Sequence, residues 1–150
     1  MKDNPNEANK CFKECKFCKI CFNEETPILQ ATRDGNLNII KILAPITKNP
    51  NSGNFYGETP IHRAALNGHL EILKLLVYTD DPNVPDSQGW TPIHWSANDL
   101  GHIDILKLLA LLTKNPNPKS TNFPKRTPFE VAHLKGYHEF ARILQTYIKH

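Results

Sequence analysis

All four cysteines of this 150-residue chain stand close together, at Cys11, Cys15, Cys18 and Cys21. On a helix they share one stripe about 120° wide. Thiolates so grouped could hold a zinc ion, but zinc sites usually join two separated ligand pairs, and one short helix wraps poorly around a tetrahedral ion. No metal site is therefore favoured. Reduced thiols also behave as small buried hydrophobes, and Phe22 falls on the same stripe, so the segment reads equally as a leading helix that covers the first downstream unit of the fold. Lys10, Lys13, Lys16 and Lys19 are interleaved. They form a solvated helix face, or, beside an exposed sulfur, lower its pKa and open redox or lipid chemistry.

The seven histidines invite a catalytic reading that their phasing argues against. His62 and His94 each follow a threonine by three residues, and His69 and His102 each follow a glycine. A histidine three residues after a helix-capping threonine is within reach to close the helix start. A catalytic group is not expected once per repeat. The sequence contains no phosphate-binding glycine loop, no His-Glu-x-x-His and no Gly-x-Ser-x-Gly. The chain is expected to be non-enzymatic and to need no cofactor.

The elements that carry these residues recur. Thr-Pro occurs at Thr26-Pro27, Thr59-Pro60, Thr91-Pro92 and Thr127-Pro128, and a glycine stands after each at Gly35, Gly68, Gly101 and Gly136. Two landmarks with one period of about 33 residues define an internal repeat. Threonine can cap a helix whose first residue is proline, and glycine can end it in the left-handed conformation. Each unit therefore opens with a helix of about two turns and continues into a second, apolar one such as Leu70–Val77. Polar stretches such as Thr47–Gly57 connect the units as extended loops or hairpins. Such pairs must stack to bury both apolar sides, which makes the fold an all-α solenoid. The helix from Ile103 to Leu112 is apolar almost all round, as for one covered on two sides, and the last helix has one wet face, which reads as a cap ending the array.

These units resemble the ankyrin repeat, whose Thr-Pro-Leu-His-x-Ala-Ala and Gly-His-Leu-Glu signatures appear as Thr59-Pro60-Ile61-His62-Arg63-Ala64-Ala65 and Gly68-His69-Leu70-Glu71. The third unit matches through Thr91-Pro92-Ile93-His94-Trp95-Ser96-Ala97. The resemblance covers residues 22–150 behind a Cys- and Lys-rich segment 1–21 whose start is expected to be disordered, with repeats at about 22–53, 54–85, 86–121 and 122–150. Leu29 and Glu130 replace the signature histidine in the outer units, the third unit has one extra residue near Asn98-Asp99-Leu100, and Lys125 stands where Gly57 and Gly89 stand earlier. The tip of the last loop is expected to deviate. The resemblance implies a stack of helix–turn–helix repeats joined by hairpin-like loops, which binds another protein on a concave face of loop tips and first helices. Carried onto this chain, the contacts are Phe55, Tyr56, Glu58, Asn67, Ser87, Gln88, Trp90, Asn98, Asp99, Phe123, Arg126 and Lys135. Aromatic residues at polar loop tips are the anchors expected of an interface, although Phe55, Tyr56 and Phe123 could instead fold back on a neighbouring loop.

A formal charge of +3 is too small to argue for nucleic acid, but it is unevenly spread. Residues 70–112 hold two lysines against six acids, and residues 113–150 hold seven bases against two acids, a gradient a partner could read. No stretch is apolar enough for a membrane helix, the start lacks the apolar core of a signal peptide, and there is no Asn-x-Ser/Thr. The expectation is a monomer of the cytosol or nucleus. The alternative reading is a zinc-stabilised adaptor or nucleic-acid-associated protein built on the Cys11–Cys21 segment.

Overall fold

A computed structural model describes residues 26–150 apart from Asn51, Asp80, Phe123 and His150. The described chain forms four helix pairs: α1 (Pro27–Asp34) with α2 (Leu37–Ile46), α3 (Pro60–Asn67) with α4 (Leu70–Leu76), α5 (Pro92–Asn98) with α6 (Ile103–Leu112), and α7 (Pro128–Lys135) with α8 (His138–Ile148). First helices pack on first helices and second on second, giving two parallel rows. The fold is the expected all-α stack, with no strand among the described residues.

Each first helix starts as the Thr-Pro dipeptide dictates. Thr26 Oγ1 accepts the Leu29 N–H at 3.2 Å, and Thr127 Oγ1 accepts that of Glu130 at 3.2 Å while Glu130 returns a carboxylate to the Thr127 N–H at 2.8 Å. These bonds satisfy donors that a helix start otherwise leaves unpaired. Gly68 ends α3 at φ +72°, where a Cβ would also sit 2.5 Å from the His102 ring of the next unit. Only glycine meets both demands. His102 Nε2 in turn reaches the Leu66 carbonyl at 3.1 Å, so the recurrent histidine beside the glycine ties one helix end to the next unit.

The rows close over Ile61, Ala64, Ala65, Leu73, Leu76, Ala97, Leu106, Leu109, Ala132 and Leu144, all fully buried. Alanines on the first helices let neighbouring backbones approach, while leucines and isoleucines of the second helices fill the volume behind them. One expectation fails here: α6 is not covered all round, since Leu111 is 74% and Leu112 41% exposed. They occupy the register of Tyr78 and Thr79 after α4, both also exposed. This is the outer face of the second row, and apolar composition did not distinguish it.

The extra residue of the third unit is absorbed where α5 ends. Instead of a single glycine, Leu100 (φ 55°) and Gly101 (φ 58°) both turn left-handed, and the Leu100 N–H is held by the Tyr137 hydroxyl at 3.0 Å.

Candidate functional site

Three connecting loops are hairpins, each organised by one polar side chain. In the first, the Asn54 Oδ1 accepts the N–H groups of Tyr56 at 2.9 Å and Glu58 at 3.1 Å. In the second, Asp86 Oδ1 accepts those of Gln88 and Trp90, both at 2.9 Å, while its Oδ2 accepts the indole N–H of Trp95 at 2.9 Å. In the third, longer loop the Ser120 hydroxyl accepts the Arg126 N–H at 3.0 Å. The Ser120 N–H bonds the Arg126 carbonyl, closing a wider turn than the Asp86–Trp90 one. The expected deviation of this tip is therefore present.

The hairpins are stitched edge to edge. The Ser87 N–H donates to the Tyr56 carbonyl at 2.9 Å, the Asn122 N–H to the Gln88 carbonyl at 3.4 Å, and the Asn122 amide to the Ser87 carbonyl at 3.3 Å. Gly89 lies under Thr121, where a Cβ would meet its Oγ1 at 2.2 Å.

Beneath the hairpins, His62 and His94 fasten each first helix to the next loop. His62 Nδ1 accepts the Thr59 N–H at 3.1 Å, and its Nε2 donates to the Trp90 carbonyl at 2.9 Å. His94 repeats this with the Thr91 N–H at 3.1 Å and the Arg126 carbonyl at 2.9 Å. Both rings must be neutral to accept at one nitrogen and donate at the other. Burial pushes both pKa values below the ordinary imidazole value of 6.5, against the opposing pull of those carbonyls and of Asp86. These are structural histidines, as their phasing predicts.

On this frame lies a groove of about 550 Å³ lined by Tyr56, Ser87, Gln88, Trp90, Asn122, Pro124 and Arg126. Five of the twelve residues expected at a binding face thus converge. Trp90 is half-buried, stacked on His94 at 5.5 Å between ring centroids and against Trp95 at 5.1 Å. It is both wall and packing. Phe55 is about half exposed and stands edge-on to Tyr56 at 5.7 Å between ring centroids. Glu58 is engaged locally, pairing with Arg63 at 2.6 Å and with the Asn54 amide at 3.1 Å. Asn67, Asn98 and Lys135 close the far ends of α3, α5 and α7, with Asp99 just beyond, roughly 10 Å along the helices from the hairpins at 1.5 Å per residue. They share no lining with the groove. Phe123 and the four cysteines lie outside the described residues.

Sequence reasoning missed Asn122 and Pro124 in the lining, and Asn54, Asp86, Ser120 and Trp95 behind it. A signal existed for two of them: Asn54 and Asp86 each stand five residues before their threonine and three before a glycine, the spacing of a side-chain-capped turn.

The family model described as Ankyrin repeats (3 copies) matches residues 3–86 and 29–122. No curated protein matches the chain.

Proposed function

The chain belongs to the ankyrin-repeat family, whose members typically bind other proteins and are typically non-catalytic, and we propose that it is a non-enzymatic interaction module whose hairpin groove receives a partner protein. The observation that carries this reading is the convergence of Tyr56, Gln88, Trp90 and Arg126 on one groove whose floor is fixed by backbone hydrogen bonds. Stitched loops lose little freedom on binding, so affinity is not spent on ordering them. The walls offer two aromatic faces, and Arg126 offers a guanidinium whose backbone is already held at both its N–H and its carbonyl. This chemistry suits an extended segment with an apolar side chain set between the rings and a carboxylate beside it. The basic character of residues 113–150 favours the same acidic neighbour.

The test is selection from a random peptide library on the full chain, with affinity then measured on variants. Tyr56→Ala and Arg126→Glu should each weaken the selected peptides at least tenfold, whereas Lys149→Glu, remote on the last helix, should leave them within twofold. Peptides that bind all three variants alike would place the binding face elsewhere.

A further inference from the structure

Arg126 walls more than the hairpin groove. A second cavity of about 350 Å³ is lined by Lys125, Arg126, Phe129, Glu130, His133 and Leu134, so the two spaces meet at the Arg126 side chain. The second runs along α7, where Phe129 to Leu134 covers about 8 Å at 1.5 Å per residue, roughly the reach of two to three extended residues. Its lining follows from place in the stack. Ile61 and Ile93, second residues of α3 and α5, are buried where successive first helices pack, as are Ala65 and Ala97 four residues on. No described first helix lies beyond α7, and the counterparts there are Phe129, half-buried, and His133, exposed. Their rings lie parallel, 6° between planes and 6.4 Å between centroids, and Leu134 beside them is 62% exposed. The Phe129 N–H is anchored on Asn117 Oδ1 at 3.0 Å, so this aromatic wall starts from a fixed backbone. Glu130, the one acid of the lining, accepts the Thr127 N–H, and Lys125 and Arg126, both exposed, leave the cavity basic.

We propose that this cavity is a second subsite for the same partner and takes the continuation of the acidic segment held in the hairpin groove. The inference rests on the groove reading and gives its partner a length and a pattern. One apolar side chain sits at the Tyr56 and Trp90 rings, a carboxylate meets Arg126, and roughly three residues further a second apolar side chain lies on Phe129 and Leu134, with another acid near Lys125. Two observations select this occupant. Arg126 is common to both spaces, so a segment paired with its guanidinium is delivered to the second cavity at high effective concentration. The lining carries two bases against one acid already engaged with the backbone, which suits an acidic chain and disfavours a second copy of the same basic face.

The experiment is selection on the full chain from random peptides of about 16 residues, long enough to outreach both cavities at about 3.3 Å each, with the selected peptides then measured intact and shortened stepwise from either end. Removing the stretch on the far side of the acid should cost at least tenfold in affinity. Leu134→Glu and Lys125→Glu, both at exposed positions and so tolerable to the fold, should each weaken the intact peptides at least fivefold and leave the shortened ones within twofold, with helical content unchanged. Tyr56→Ala should weaken both forms. If Tyr56→Ala weakens binding while shortening, Leu134→Glu and Lys125→Glu change nothing, the segment ends at Arg126, and the proposal is overturned with the groove reading intact. If Leu134→Glu weakens binding and Tyr56→Ala does not, the groove reading fails and the second cavity is no continuation of it. Sedimentation of the parent chain as a dimer that Leu134→Glu dissociates would give this face to a second copy and overturn the proposal as well.

Discussion

At the residue scale the fold depends on two rings that must stay uncharged. His62 and His94 accept at Nδ1 and donate at Nε2, and burial holds both below the ordinary value of 6.5. Below that pH the unfolded chain takes up protons that the folded one refuses, so their contribution is complete above pH 6.5 and declines as pH falls beneath it. Each contributes a slope of at most about 1.4 kcal/mol per pH unit. Thermal melts from pH 8 to pH 5 should fall on the acid side, and His94→Gln should melt lower at pH 8 but show a shallower acid slope. An equal slope in parent and variant would refute the assignment. Leu100 is the opposite case, a residue whose side chain is largely in solvent while its backbone is strained. It is 72% exposed at φ 55°, a conformation that costs a non-glycine residue roughly 1 kcal/mol. Leu100→Gly should therefore raise stability by up to about 1 kcal/mol in denaturant titration. The structure gives this bulge no further role.

At the element scale the first two hairpins are specified by the residue five before the threonine, Asn54 and Asp86. Asp86 serves three donors from inside the protein, being 8% exposed. Asp86→Ala strands all three and should cost about 2–4 kcal/mol in urea unfolding. Asp86→Asn keeps the oxygen that holds Gln88 and Trp90, as Asn54 does in the preceding loop, and loses only the acceptor for Trp95. Its cost should be about 1 kcal/mol. Helices were legible in the sequence because capping and termination rest on single residues at fixed spacing, Thr59 and Gly68 being the plainest pair. The exposed end of α6 was not, because Leu111 and Leu112 have the same composition as the core and differ only in which way they face.

At the scale of the whole molecule, stacking turns local repeats into a surface. Tyr56, Trp90 and Arg126 are 34 and 36 residues apart in sequence yet line one groove, because each sits at a similar phase of its own unit. That phase could be read from the sequence, and so five lining residues could be named. Asn122 and Pro124 could not, since the last loop is longer and its register is set by Ser120 closing on Arg126. The chain's two tryptophans both stand at this site, so they report on it alone. The most direct test is a two-dimensional amide spectrum of the labelled chain during titration with a library-selected peptide. The Trp90 and Trp95 indole N–H signals and the Gln88 and Asn122 amides should move together, with those of α8 unmoved. Movement confined to α8, or to the far ends of α3, α5 and α7, would contradict binding in the groove.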